Sequence, residues 1–135
     1  VQATQWHLAL TLKETSVEKV NLADKFALFD ERWTPKIVGE LNGQYVKLAK
    51  LKGEFVWHYH EAEDEMFFVI KGRLTMRLPE YEVVVGEGEF LIVPRGVEHC
   101  PVADEEVHVL LFEPKSTAHT GDVQSEMTVE TLDWI

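Results

Sequence analysis

Cysteine is nearly missing from this sequence: Cys100 stands alone among 135 residues. No intrachain disulfide can form, so a core must hold the chain together, as expected in a reducing compartment. No apolar run approaches the length of a membrane span. The N-terminal region also lacks the basic stretch and long apolar segment of a secretory signal. The expected setting is therefore cytoplasmic, with no membrane partner. Positive charge is scarce as well, with 13 Lys and Arg against 24 Asp and Glu, a net −11. Such a surface repels phosphate backbones, and no helix-turn-helix pattern is present, so nucleic acid is not an expected partner. Internal repeats and low-complexity tracts are absent, and no long helical pattern alternates with the strands. A doubly wound parallel sheet is therefore not expected.

What is present is an ordinary apolar fraction, 45%, in a chain of single-domain length. Trp6, Leu8, Leu10 and Leu12 alternate, which predicts a strand near the start. The segment NLADKFALFDERWTP, residues 21–35, predicts a helix. Asn21 is its N-cap, Asp24 sits three residues on, and Pro35 ends it. Leu22, Phe26, Phe29 and Trp33 would share one face, read as a clamp packed on the rest of the domain. Beyond Pro35, Asn42-Gly43 between apolar segments predicts a two-residue hairpin. Short runs rich in valine, isoleucine and phenylalanine follow: MFFVI, RLTMRL, YEVVV, FLIV and VHVLLF. Many short strands at near-regular spacing predict an all-β sandwich or barrel. Residues 1–35 are expected to form an extension packed on that barrel, 36–113 the barrel itself, and 114–135 a polar arm docked by Trp134 and Ile135.

The chemistry gathers in WHYHEAEDE, residues 57–65. On a strand His58 and His60 point one way, Trp57 and Tyr59 the other. In the next strand Glu65, Phe67 and Val69 share a face, with Met66, Phe68 and Ile70 opposite. Both faces are apolar, which predicts burial on both sides. A carboxylate at the mouth of such a strand needs a partner. Two imidazoles across a hairpin supply one, and a divalent metal between them supplies a better one. His99, after a Pro-x-Gly turn, is a further candidate. Histidines that merely hydrogen-bond inside a metal-free barrel are the alternative reading.

The spacing of these residues resembles the two motifs of the cupin superfamily. Gly53 precedes His58-Tyr59-His60, Glu65 follows after four intervening residues, and Gly72 after six more. Gly88 leads to Pro94-Arg95-Gly96 and His99, with Ala103 where the family pattern has asparagine. Fifteen residues, 73–87, separate the motifs, as in compact single-domain cupins. The resemblance spans residues 53–103 by motif and 36–113 by strand pattern. It implies a jelly-roll barrel, the cupin double-stranded β-helix, which the short helix expected within residues 21–35 would precede. It further implies His58, His60, Glu65 and His99 as ligands of one divalent transition metal: zinc, iron, manganese, nickel or copper. Glu61, Glu63 and Asp64 then become turn carboxylates.

Other residues carry less. Cys100 should face away from His99. His108 either lines the cavity as an acid or base or is a satisfied structural histidine. Tyr45 and Lys47 share a face and could reach a ligand. His7 and His119 belong to no visible constellation. Proteins of the resembled family include dioxygenases, decarboxylases, isomerases, epimerases and non-enzymatic binders. The expectation is a metalloprotein for a small oxygen-rich organic molecule, either an enzyme or a binding or sensing module. Apolar outer strand faces add the expectation of a homodimer.

Overall fold

The computed structural model describes residues 16–121, 125 and 127–135. The strand expected across Trp6 to Leu12, and His7 with it, lies outside the described residues. Helix α1 (Leu22–Phe26) is followed by strands β1 (Lys36–Leu41), β2 (Gln44–Glu54), β3 (Glu65–Lys71), β4 (Leu74–Arg77), β5 (Glu82–Val85), β6 (Phe90–Val93) and β7 (Cys100–Pro114). All seven strands pair antiparallel in one sheet. Among the described residues, no helix is long and apolar enough to cross a membrane.

The helix is shorter than its sequence pattern predicts. Asn21 caps it as expected, accepting a hydrogen bond from Asp24 N–H at 2.9 Å. Continuation past Phe26 would need the Phe29 carbonyl to accept from Trp33 N–H. The barrel takes both groups instead. Lys50 Nζ donates to the Phe29 carbonyl, and Trp33 N–H donates to the Lys50 carbonyl at 2.9 Å. Trp33 itself adopts a positive φ of 58°. Phe26 and Phe29 still pack inward, on Leu48, while Trp33 turns away to stack on Phe55 at 4.6 Å.

Asn42 and Gly43 form the expected hairpin turn. Both have positive φ, 49° and 77°, and Leu41 faces Gln44 across it. That combination matches the right-handed twist of the flanking strands, and glycine reaches it without steric cost.

Strand β7 organises the sheet. Its C-terminal part lies between β2 and β3, and its first residues pair with β4 and the end of β2. The register with β2 shifts between Leu51 and Gly53, so the long strand bends from one set of partners to the next. Alternation sends Phe67 and Val69 of β3 inward beside Val107, Val109 and Leu111 of β7. Leu74, Met76, Val85 and Val93 close the same core.

The outer face of β3 differs from expectation. Met66, Phe68 and Ile70 are half-buried, not buried. Strand β6 pairs alongside β3 and extends that face, exposed in turn at Phe90 and Ile92. The C-terminal residues return to the barrel. Ile37 N–H donates to Asp133 O at 2.8 Å, Ile135 N–H to Ile37 O at 3.1 Å, and Lys25 Nζ to Ile135 O at 2.9 Å.

Candidate metal centre

His58 and His60 do not lie on a regular strand. The chain is irregular there apart from one isolated bridge between His58 and His99. The alternation survives because that bridge holds the backbone extended. His58 N–H donates to His99 O at 3.1 Å, and His99 N–H returns to His58 O at 2.9 Å. The two imidazoles therefore turn inward and are buried, while Trp57 and Tyr59 face solvent. Two further bonds stitch the turns together. Gly96 N–H donates to His60 O at 2.8 Å, and Arg95 N–H donates to Asp64 Oδ1 at 2.9 Å. Asp64, a turn carboxylate as expected, is held below the usual carboxylate range by those Arg95 contacts.

Glu65 begins β3 and His99 immediately precedes β7. The structure brings His58, His60, Glu65 and His99 together, all four buried, with one potential ligand atom from each within 4.8 Å of all the others. His60 Nε2 and His99 Nε2 stand 3.3 and 3.5 Å from Glu65 Oε1. The Nδ1 atoms of His58 and His99 each lie 2.9 Å from a backbone carbonyl, of Val56 and Val97. A carbonyl only accepts, so both Nδ1 atoms carry the proton and each Nε2 keeps its lone pair for the centre. Burial, then the neighbouring His99, push the His58 pKa down to about 4. The imidazole is thus neutral, the form that binds a metal.

Both ring nitrogens of His60, His99 Nε2 and Glu65 Oε1 are buried without a hydrogen-bond partner. Leaving polar atoms so costs about 1–3 kcal/mol each. Three imidazoles and a carboxylate converging with unused lone pairs fit a divalent transition ion.

Around this group lies a polar pair that the motif reading missed. Lys47 Nζ donates to Glu113 Oε1 at 2.7 Å, with both side chains buried. Burial and then the charge of Glu65 push the Glu113 carboxyl well up. Burial acts upward on Glu65 too, but Glu113, His60 and His99 outweigh it and hold that carboxyl well below its ordinary range. The ionised carboxylate is the one beside the imidazoles. A signal was present in the sequence: Val107, Val109, Leu111 and Glu113 alternate onto one buried face, where a carboxylate demands a partner.

His119 is the second miss. Its ring lies 5.1 Å from Phe55. It also lines a narrow cavity of about 30 Å³ with Trp33, His58, Glu65 and Phe67. Nothing local in KSTAHTGD marks it, because tertiary folding alone carries it there. The remaining candidates, Cys100, His108 and Tyr45, fall elsewhere. Cys100 faces away from the centre with Sγ 3.5 Å from the Phe55 carbonyl, and burial pushes its thiol up to about 11. His108 does not line this cavity. It stacks on Phe26 at 4.5 Å and sits 3.2 Å from Glu106 on the outer face, a structural histidine. Tyr45 and Lys47 line a second, larger cavity.

The cupin domain family model matches residues 44–113, more than half of the chain. The chain belongs to the cupin family. Its all-β fold is the cupin β-barrel. It is similar to a cupin-2 domain-containing protein from Shewanella frigidimarina NCIMB 400, whose crystal structure superposes with a TM-score of 0.71 at 41% identity. That match covers 71% of this chain and 94% of that one. Two Bacillus subtilis (strain 168) proteins are similar in sequence. The uncharacterized protein YdbB is 35% identical over 63 residues, 46% of this cupin and 56% of that protein. Quercetin 2,3-dioxygenase is 35% identical over 83 residues, 54% of this cupin and 25% of the enzyme. This cupin therefore spans about half of one curated relative and a quarter of the other.

Proposed function

We propose that this cupin binds one divalent transition metal through His58, His60, Glu65 and His99 and uses it on a small oxygen-rich organic molecule. The observation that carries the reading is the convergence of four buried donors, with His60, Glu65 and His99 each presenting an atom that has no other partner. A divalent ion in that set supplies Lewis acidity toward a carbonyl or enediolate oxygen, and redox capacity if it is iron, manganese, nickel or copper. The chain supplies the rest. Backbone carbonyls fix the tautomers of His58 and His99. Phe55, Phe67 and Trp33 wall the cavity and exclude water. The Lys47–Glu113 pair sets the charge behind Glu65. Isomerisation, decarboxylation and dioxygenation are the reaction classes this supports, and the similarity to quercetin 2,3-dioxygenase weights the last. The narrowness of the cavity beside the centre favours one second reading, a binding module in which the metal anchors a ligand without turnover. The single cysteine and the acidic surface support a cytoplasmic setting without nucleic-acid or membrane partners.

A homodimer belongs to the same reading. Among the described residues β6 pairs only with β3, and Phe90 and Ile92 on it are 55% exposed each. An apolar free edge of this kind is a pairing surface for a second copy.

The test of function is a screen of small oxo-acids, diketones and sugars against protein reconstituted with each metal in turn. Glu65→Gln is close to isosteric but removes the only anionic donor. In an enzyme, turnover should fall at least about tenfold more than metal occupancy does. Activity unchanged in Glu65→Gln would contradict the role given to Glu65. Absence of turnover with every metal would replace the enzyme by the binding module.

A further inference from the structure

A second cavity, of about 450 Å³, lies between the β1–β2 edge and the C-terminal segment. That is within the range of small-molecule sites. None of the four metal-centre residues lines it. Its wall includes Tyr45, Lys47, Lys115, Thr117, His119 and Trp134.

Two of these side chains point to a ligand. Thr117 is only 8% exposed, and its Oγ1 is buried with no hydrogen-bond partner. His119 Nε2 is buried and without a partner as well. Polar atoms in that condition inside a folded protein call for a cause. A hydroxyl donates and accepts, and a neutral imidazole nitrogen does either according to tautomer. Burial holds the His119 imidazole below its ordinary range, so it brings no charge at neutral pH.

The ammonium groups are already matched. Lys47 is paired with Glu113 at 2.7 Å and Lys115 with Glu40 at 3.2 Å. Glu130 adds a carboxylate to the wall. Among the described residues, each lysine of the wall thus already holds a carboxyl partner, and neither ammonium is left free for an anion. It does offer an aromatic corner: Trp134 meets Tyr45 edge-on at 5.7 Å and 87°, and Trp134 keeps 56% of its surface exposed. An apolar ring face beside neutral hydrogen-bonding groups suits a molecule with C–H faces and hydroxyl rims.

We propose that this cavity binds a small uncharged polyhydroxylated molecule of monosaccharide size, with Thr117 and His119 hydrogen-bonding its hydroxyls and Trp134 packing against its C–H face. His119 also lines the narrow cavity beside His58 and Glu65, so the site adjoins the metal centre across one imidazole. The site does not depend on a metal, because its wall holds none of the four donors.

The test is calorimetric titration of chelator-treated full-length protein with D-glucose, D-galactose and myo-inositol, with D-glucuronate and hexanoate as charged comparisons. At least one neutral polyol should bind saturably in the millimolar range without metal, and both anions at least fivefold more weakly. Thr117→Val keeps the volume and removes the hydroxyl, and should weaken that polyol about five- to tenfold. Thr117→Ser should restore it. Trp134→Ala, at an exposed position, should weaken it similarly and covers the case in which Thr117→Val fails to fold. No saturable polyol binding by the wild type, tighter binding of glucuronate, or undiminished binding in both Thr117→Val and Trp134→Ala overturns the proposal. Because metal is absent throughout, none of these outcomes bears on the metal reading.

Discussion

His58 shows how much one residue's surroundings decide. Its imidazole is buried against His99, and its pKa falls from 6.5 to about 4. In the metal-free protein the unfolded chain therefore takes up a proton before the folded one does. The resulting stability is fully present above pH 6.5 and is lost as pH falls toward 4. A shift of that size corresponds to roughly 3 kcal/mol. Urea titrations of the metal-free protein should show this loss across that window, and a His58→Asn variant should show a flatter profile. Matching profiles for the two would place the acid sensitivity elsewhere. At this scale the sequence was legible wherever spacing encodes geometry. His58, His60, Glu65 and His99 sit at fixed distances from turn glycines, and the turns set their convergence. Glu113 was legible only as a carboxylate on a buried face, and His119 not at all, because no motif spacing marks them and only the closed barrel brings them to Glu65.

The elements show the same division. Asn42-Gly43 was readable because a two-residue turn is a local event with a local chemical signature. Gly43→Val would place a β-branched residue at φ 77° and should lower stability by about 1–3 kcal/mol. Thermal melts would measure it; an unchanged midpoint would mean that β1 and β2 hold their register without the turn. The helix was read too long for the opposite reason. Its periodicity is real, and Phe26 and Phe29 do point to the barrel. Its hydrogen bonds are claimed by Lys50, a residue about twenty positions away, and no local pattern reports that. Gly121 is a third case. Its φ is 59°, and a Cβ there would lie 2.1 Å from the Tyr59 carbonyl. The close approach explains the glycine, but only once both segments are in place.

For the whole molecule, strand spacing and punctuation sufficed for an all-β sandwich or barrel, and the paired motifs for the barrel and its family. The outer surface was less readable, since alternation marks apolar faces without saying what covers them. Met66, Phe68, Phe90 and Ile92 leave an apolar strip at the β3–β6 edge. Light scattering coupled to size exclusion should report a dimer, and Ile92→Glu should shift it to monomer without loss of fold. A monomeric wild type at micromolar concentration would remove β6 as an interface.

The centre itself is tested most directly by metal analysis of protein purified without an affinity tag. Wild-type protein should carry about one transition-metal ion per chain. The His58→Ala/His99→Ala double variant, with its barrel intact by circular dichroism, should carry almost none. Metal content undiminished in that variant would contradict the assignment of the four donors.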